Sequence, residues 1–348
     1  MDPLTQGAVG ATLPQASSRG KYAGSAALLG FLAGMAADLD VLIRSSTDPL
    51  LFLEYHRQFT HSLIFIPVGG FICALVLHQI IGRRRQLSFQ QSWLFCTLGY
   101  ATHALVDACT TYGTMLLWPF SDQRFAWNTI SIIDPLYTLP ILALVLIGAR
   151  QKSATFARFA LAWALVYPGI GLVQRDRAED AGLQIAQSRG HDPIRLEAKP
   201  SFANLLVWKI VYETENHYYV DAVRVGVTAK HYLGERAEKL DIARDVPWLD
   251  LESQQARDIE RFRWFSNGYI AKDPLRPNRI IDIRYSMIPN EIDALWAIEL
   301  SPDAAPNDHV GYETSRDSET AGLTLFRNML FDQAQAATLP DGNAQSSH

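Results

Sequence analysis

Two titratable side chains lie four residues apart in an apolar stretch of the chain. His103 and Asp107 fall in the segment GYATHALVDAC, and at this spacing two helical side chains share one face, close enough to bind the same ligand. An Asp near the middle of a membrane helix costs about 2.5–3.5 kcal/mol, so an ionisable pair in such a helix indicates a functional site. Further polar residues are needed to complete such a site.

Three other motifs of the first half carry polar residues. Asp38 and Asp40 end the first long apolar segment, the segment HRQFTHS spans residues 56–62, and Asp134 opens a later apolar segment. Histidine and carboxylate side chains are the ligands of zinc and similar divalent ions. A catalytic zinc site needs about three such ligands and one position open to water, whose pKa the metal lowers towards neutrality. The motifs therefore predict a metal-activated water.

Each candidate residue has a predicted role. Imidazoles and one carboxylate are expected to bind the metal, while the paired aspartates supply a ligand or a general base. The arginine of HRQFTHS can bind an anionic substrate group such as phosphate. The predicted metal ligands are His56, His61, His103 and Asp107, the predicted catalytic residues are Asp38, Asp40 and Arg57, and the predicted substrate-binding residues are Arg57 and Trp118.

The spacing of the paired aspartates sets a condition on their helix. Asp38 and Asp40 are two residues apart, so on a regular α-helix their side chains point in nearly opposite directions. If both serve one site, the α-helix must end there. The same segment contains Gly30 and Gly34, a GxxxG pattern that predicts close contact with a neighbouring helix.

A structural interpretation of the same residues is also open. Thr60 before an apolar run is a natural helix N-cap, and Asp134 before Pro135 is a common helix start, so capping explains these two at least as well as chemistry. A His–Asp pair can also satisfy both partners without a metal. His78 and the aromatic residues near Trp118 fit packing at a membrane interface first, and a ligand or substrate wall only second.

Composition divides the 348 residues into an apolar first half and a charged second half. The 31 basic and 36 acidic residues give a net charge of −5, and no basic block is interleaved with aromatics, so no nucleic-acid partner is expected. The three cysteines lie inside apolar segments and are expected to pack as small hydrophobes, without a disulfide or a CxxC metal site. Residues 1–20 lack the ordered features of a signal peptide and are expected to remain in the protein.

Five apolar runs, each near the roughly 20 residues that a bilayer requires, predict a multi-span α-helical membrane domain. The apolar start of the chain is too short to cross alone, so we interpret it as a half-helix. Basic clusters at Arg83–Arg85 and around Lys152 fall on one side if all five runs cross, and the positive-inside rule makes that side the cytoplasm. The candidate site and the second half then lie on the extracytoplasmic side. The predicted spans are Ser25–Ile43, Leu63–Ile81, Ser92–Cys109, Ile132–Ala149 and Phe156–Val173.

The second half is predicted to be a soluble, β-rich α+β domain. Alternating apolar and polar residues predict strands at LLVWKIVYET, HYYVDAVRVG, RFRWFSNGYIAK, RIIDIRYS and ALWAIEL, and a helix between Ser318 and Ala337. Its histidines lack ligand spacing, so we expect this domain to cover or recognise something at the membrane face. The predicted boundaries are 1–178 for the membrane domain, 179–198 for a connector, 199–338 for the soluble domain and 339–348 for a disordered tail.

The motifs resemble a bacterial family of inner-membrane metal-dependent hydrolases, the group named after the LexA-regulated membrane hydrolase. The matching segments are DPLTQGAVG, ADLD, HRQFTHS and HALVDACTTYGTMLLWPF, within about residues 1–150, and PSFANLLVWKIVYET is similar to the segment that follows the membrane domain in longer members. The resemblance implies a multi-span helical membrane domain, hydrolysis and a divalent metal ion, with zinc as the expected metal. The set of metal ligands in this family is loosely similar to that of zinc-dependent phospholipase C.

One position departs from the family pattern. Where many members have LTH, this chain has Leu4-Thr5-Gln6, and Gln is a poor zinc ligand. Either the N-terminal helix only supports the ligands, or metal binding is weaker, or activity is lost.

The leading hypothesis is a membrane-bound metal-dependent hydrolase in the bacterial cytoplasmic membrane. It would act at the extracytoplasmic face on a phospholipid or another phosphate ester, with the lipid bilayer as its surroundings. One alternative is a non-enzymatic membrane protein whose polar cluster is a structural lock and whose C-terminal domain binds a partner. An ion-coupled transporter has less support, because no inverted repeat is apparent.

Overall fold

The computed structural model describes residues 1–315 and 320–333. These residues form two compact units. The first, called the helical unit, comprises Met1–Ile43, Glu54–Val173 and Phe202–Asn204, and the second, called the β unit, comprises Arg44–Leu53, Gln174–Ser201 and the described residues from Leu205 onward.

In the first half of the chain, the described α-helices coincide with the apolar segments of the sequence. In the second half, runs of strands are separated by short helices. The helices are α1 Pro3–Ser17, α2 Ala23–Met35, α3 Leu51–Tyr55, α4 Ile66–Leu77, α5 Phe89–Ala108, α6 Pro135–Arg150, α7 Ala154–Ser188, α8 Ile242–Asp245, α9 Gln254–Phe265 and α10 Thr320–Leu330. The strands are β1 Arg195–Pro200, β2 Val207–Glu213, β3 His217–Val225, β4 Ala229–Tyr232, β5 Arg236–Glu238, β6 Ile270–Lys272, β7 Arg279–Asp282, β8 Trp296–Glu299 and β9 Gly311–Thr314.

Helix α1 is enclosed by its neighbours. Asp2 caps its first turn by accepting a hydrogen bond from Thr5 N, and most of its residues from Thr5 to Gln15 are buried. Its Gly10 meets Gly34 of α2, where a Cβ on Gly34 would lie 2.9 Å from Gly10 Cα. The GxxxG pattern of α2 is therefore confirmed as a close helix contact, and it brings the start of the chain against α2.

The α-helix that carries the paired aspartates ends before them. Helix α2 stops at Met35 and the chain continues as a 3₁₀-helix over Ala36–Leu42. A 3₁₀-helix has three residues per turn, so residues two apart lie about 120° apart around its axis instead of nearly opposite. This change of helix type lets Asp38 and Asp40 approach the same neighbour.

The helices that follow begin at recognisable caps. Ser88 and Gln91 form a capping box at the start of α5. Asp134 caps α6 by accepting from Leu136 N and Tyr137 N, which confirms the capping interpretation of this residue. The α5 and α2 helices pack together around Cys96 and Leu29, in a core of small and aliphatic side chains.

Within the described ranges, three helices are long and apolar enough to cross a membrane: Gly20–Leu42, Leu63–Arg85 and Ala154–Ser188. Helix α6 is apolar but shorter, and α5, although 20 residues long, carries a polar buried face. The helical unit is thus a region with three candidate spans, and the predicted count of five is not confirmed. The predicted connector at 179–198 covers the C-terminal end of α7, the turn after it and the start of β1.

The part of the β unit that the structure describes forms two antiparallel sheets. One has the order β1-β2-β3-β4, with β5 also paired to β3, and the other has the order β6-β7-β8-β9. The segments LLVWKIVYET and HYYVDAVRVG, both predicted as strands, contain β2 and β3 of the first sheet, in which Val211 pairs with Val220. A β-rich domain after the helical region is therefore confirmed.

One predicted strand of the β unit is wrong. The segment RFRWFSNGYIAK was predicted as a strand, but its first part belongs to α9 and only Ile270–Lys272 is extended. Ser253 caps α9, and its apolar residues Ile259 and Phe262 recur at the helical spacing and are fully buried. Helix α10 lies within the predicted helix at 318–337, and the predicted tail at 339–348 lies outside the described residues.

Candidate metal site

Four side chains of the helical unit bring their ligand atoms together. His61 Nε2, His103 Nε2, Asp38 Oδ1 and Asp107 Oδ2 form a group, called the tetrad below. The two imidazole nitrogens are 2.9 Å apart. Asp38 Oδ1 lies 3.4 Å from His61 Nε2 and 3.3 Å from His103 Nε2, and Asp107 Oδ2 lies 3.2 Å and 3.6 Å from the same two atoms.

These separations fit one small cation. The ligand atoms of a tetrahedral zinc ion lie about 2.0–2.2 Å from the metal, which places neighbouring ligand atoms about 3.3–3.6 Å apart. Four of the five distances, at 3.2–3.6 Å, lie at or close to that spacing, and the 2.9 Å between the two imidazole nitrogens is shorter. Two nitrogens and two carboxylate oxygens are also a donor set that zinc accepts. The residues present therefore fit a divalent ion.

Both imidazoles are oriented by a contact on the nitrogen that faces away from the tetrad. His103 Nδ1 lies 2.5 Å from the carbonyl oxygen of Gly34, and His61 Nδ1 lies 3.2 Å from Asp40 Oδ2. A carbonyl or carboxylate at Nδ1 fixes the Nδ1–H tautomer and leaves Nε2 as the free ligand atom. The surroundings of both rings are therefore those of metal-binding histidines.

Asp40 lies behind His61 and outside the tetrad. Its Oδ2 accepts hydrogen bonds from Thr60 Oγ1 at 2.6 Å and from Arg57 N at 3.1 Å, and its Oδ1 contacts His56 Nδ1 at 2.7 Å. The predicted N-cap role of Thr60 is wrong, because its hydroxyl bonds Asp40 and contacts His61 Nδ1 instead of capping a helix. Asp40 thus joins the HRQFTHS segment to the end of the first apolar segment.

Asp107 divides its two oxygens between the tetrad and α1. Its Oδ1 accepts a hydrogen bond from Gln6 Nε2 at 2.8 Å and pairs with the amino group of Met1. Its Oδ2 is buried and accepts no hydrogen bond from the described residues, and the same is true of Gln6 Oε1. Buried acceptors without a hydrogen bond are rare, and a bound cation would satisfy Asp107 Oδ2 alongside the ion pair that this atom makes with Arg57.

Carboxylates surround the His61 imidazole of the tetrad. His103 and Asp107 are completely buried, and the Asp38 side chain, at 22% exposed, is the member that solvent reaches. Burial alone would lower the pKa of His61, which lies outside the candidate spans, but the carboxylates of Asp107, Asp38 and Asp40 raise this pKa to about 10. The same carboxylates favour the binding of a cation at the tetrad.

A family profile described as YdjM inner membrane protein matches residues 1–178, half of the chain. The chain belongs to this family. It is the LexA-regulated membrane family that the motifs resemble, and its members are similar to metal-dependent hydrolases. The match also identifies an inner membrane protein, in agreement with the candidate spans.

Two curated proteins match parts of the YdjM-family chain. The inner membrane protein YbcI of Escherichia coli (strain K12) is 36% identical over 108 residues, which is 30% of this chain and 60% of YbcI. The uncharacterized protein YfhP of Bacillus subtilis (strain 168) is 26% identical over 197 residues, which is 56% of this chain and 58% of YfhP. The chain therefore spans about three fifths of the length of each relative. No solved structure matches it.

Arg57, one of the two predicted substrate-binding residues, lies beside the tetrad, and the other, Trp118, contacts the HRQFTHS segment. Arg57 has a left-handed backbone with φ of 65°, held by its N–H on Asp40, and its Nε lies 3.3 Å from Asp107 Oδ2. Its guanidinium also lies over the ring of Tyr112. Trp118 packs on Phe59, the neighbour of Thr60 in the HRQFTHS segment. A strained non-glycine residue held in this way is a common feature of functional sites.

Asp134 and His78, two further polar residues of the helical unit, make no contact with the tetrad among the described hydrogen bonds and ion pairs. Asp134 caps α6 and accepts from Tyr167, and His78 bonds Ser92 within the helical unit, as the packing interpretation expects.

Sequence reasoning missed two supporting contacts. The carbonyl of Gly34 that orients His103 has no side-chain signal. Tyr100, whose hydroxyl donates to Thr60 O, lies three residues before His103 on the same helix face, so its spacing could have indicated it.

Proposed function

We propose that this protein is a membrane-bound, zinc-dependent hydrolase whose active site is the tetrad. The observation that carries the proposal is the set of distances among His61, His103, Asp38 and Asp107, together with the orientation of both imidazoles through Nδ1. Membership of a family that resembles metal-dependent hydrolases supports it.

The three buried members of the tetrad are assigned as the permanent ligands. His61, His103 and Asp107 would hold the ion, and a bound divalent ion would supply Lewis acidity that brings the pKa of a water towards neutrality. Asp38 lies at the corner that solvent reaches, so the attacking water would enter the site beside its carboxylate. Asp40 keeps the His61 ring in place through its contact with Nδ1.

Arg57 and the apolar surface near Asp38 favour a lipid phosphate ester as substrate. A guanidinium is the preferred partner of a phosphate group, and Arg57 lies next to the tetrad through its contact with Asp107. Leu39 and Leu42, on the same 3₁₀-helix as Asp38, are 64% and 76% exposed, so they can contact acyl chains. In this proposal Trp118 lines the substrate site.

The proposal includes five membrane crossings with the site and the C-terminal domain on the extracytoplasmic side. Its support is the position of the basic loops, which lie on the cytoplasmic side if all five runs cross. The β unit should then be cleaved by protease added to cells whose outer membrane has been opened. Cleavage that needs disruption of the inner membrane would contradict this orientation.

Metal analysis with a phosphodiesterase assay tests the proposed chemistry. Purified protein should contain zinc and hydrolyse a phospholipid in mixed micelles, and His103→Ala and Asp107→Asn should lose both properties. Asp134→Asn is the matched control, because Asp134 is equally buried but caps a helix. Folded wild-type protein that binds no divalent ion would overturn the proposal.

A non-enzymatic alternative has one observation in its favour. The polar cluster links α1, the 3₁₀-helix after α2, the HRQFTHS segment and α5 through direct contacts, as a structural lock would. In that case His61→Ala should lower the unfolding temperature strongly, whereas in an enzyme it should mainly lower turnover.

A further inference from the structure

A second group of ligand side chains adjoins the tetrad. Asp38, Asp40 and His56 each place one ligand atom within 4.8 Å of the other two. Asp38 belongs to both groups, so its carboxylate can serve both. We propose that Asp38, Asp40 and His56 bind a second divalent cation, with Asp38 shared between two ions. This inference rests on the proposed function, because it requires an ion at the tetrad.

The contacts of Asp40 leave one of its oxygens for this second ion. Its Oδ2 receives hydrogen bonds from Arg57 N and Thr60 Oγ1 and faces His61 Nδ1. Its Oδ1, in contrast, faces the His56 ring, with Nδ1 at 2.7 Å. A divalent ion can replace the proton that joins a carboxylate to an imidazole, because both atoms are good ligands once deprotonated.

Exposure determines what kind of ion this second group can hold. The His56 side chain is 32% exposed and Asp38 is 22% exposed, while His103 and Asp107 are completely buried. Three protein ligands at an open edge leave positions for water, so the second ion should bind more weakly and exchange faster than the first. Two carboxylates and water suit zinc or the harder manganese ion.

Two ions at neighbouring positions narrow the substrate class. In two-metal sites, ions about 3.5–4 Å apart stabilise both the attacking and the leaving oxygen of a phosphate ester. Arg57 holds Asp40 through its backbone N–H, while its guanidinium lies beside Asp107 of the tetrad, so a phosphate that bridges the two ions would have a guanidinium on the tetrad side. A phosphate ester, rather than a carboxylic ester, is therefore the substrate class that this arrangement favours.

Zinc stoichiometry of the full-length protein tests the second site without an activity measurement. Detergent-solubilised protein is stripped with a chelator and titrated with zinc by calorimetry, and bound zinc is counted by mass spectrometry. Wild type should bind two ions, with the second at least tenfold weaker. His56→Ala should keep the tight ion and lose the weak one, whereas His103→Ala should lose the tight ion and Asp38→Asn should weaken both.

Two controls separate site loss from misfolding and from surface binding. His217→Ala removes a half-buried imidazole of the β unit and should leave two ions bound. If His56→Ala does not keep the elution volume and unfolding temperature of stripped wild type, His56→Gln replaces it.

The possible outcomes distinguish this inference from the proposed function. One ion in both wild type and His56→Ala would refute the second site and leave the tetrad intact. Two ions in His56→Ala would place the second ion elsewhere and refute the assignment. No ion in wild type would refute the proposed function as well.

Discussion

Gly99 is where α5 comes closest to α2, and an added methyl group there should disturb both the fold and the site. A Cβ at Gly99 would lie 2.4 Å from the carbonyl oxygen and 2.6 Å from the Cα of Gly30. Since non-bonded carbon atoms pack at about 3.5–4.0 Å, Gly99→Ala must push the two helices apart by roughly 1 Å. We expect it to lower the free energy of unfolding by about 1–3 kcal/mol, as overpacking typically does.

The same displacement should reach the tetrad. His103 lies four residues after Gly99 on α5, and its Nδ1 contacts Gly34 O on α2. A shift of roughly 1 Å far exceeds the tolerance of about 0.2 Å in metal–ligand distances. Gly99→Ala should therefore lower the affinity for zinc as well as the stability of the stripped protein.

Thermal unfolding and zinc titration of detergent-solubilised protein measure both effects. Gly169→Ala is the matched control, because a Cβ there meets nothing within 4 Å and Gly169 lies within α7. It should raise stability by about 0.5–1 kcal/mol through helix propensity alone. If Gly99→Ala matched this control in unfolding temperature and in zinc affinity, the close contact of α2 with α5 would be disproved.

Three further predictions concern the cap of α6, the bound metal ion and the buried Lys209. Asp134→Ala should lower stability by about 1 kcal/mol through loss of the α6 cap, with zinc content unchanged in metal analysis. Removal of metal by a chelator should lower the unfolding temperature, since an ion present at 100 times its Kd stabilises the fold by about 2.7 kcal/mol. Burial lowers the pKa of Lys209 to about 7, well below its value of about 10.4 in an unfolded chain, so the unfolded chain binds more protons above pH 7 and the stability of the β unit should rise with pH between 7 and 10. Lys209→Met should remove this rise, as measured by denaturant unfolding at pH 7 and pH 9.

The sequence could predict the parts of the site that depend on local spacing. His103 and Asp107 share a helix face because four residues span about one turn, and both side chains reach the tetrad. The condition that the α-helix ends at the paired aspartates was also met, because α2 stops at Met35. Local rules decide these features, so no knowledge of tertiary packing was needed.

Features that depend on tertiary contacts could not be predicted in this way. The assignment of Asp38 to the tetrad and of Asp40 to the far side of His61 follows from how a 3₁₀-helix meets the HRQFTHS segment. The number of membrane spans also depends on tertiary contacts. The polar buried face of α5 lowers its hydropathy, because this helix packs its His and Asp against other helices.

The departure of this chain from the family motif falls on a residue that supports a ligand. Gln6 donates to Asp107 Oδ1, which leaves Asp107 Oδ2 directed at the two imidazoles. This contact favours the first of the three interpretations of Gln6, in which α1 only supports the ligands. A histidine at this position would add a donor to a site that already has four, whereas the amide replaces none of them. The loss of the motif histidine therefore does not by itself remove a metal site, because the tetrad is built entirely from the other motifs.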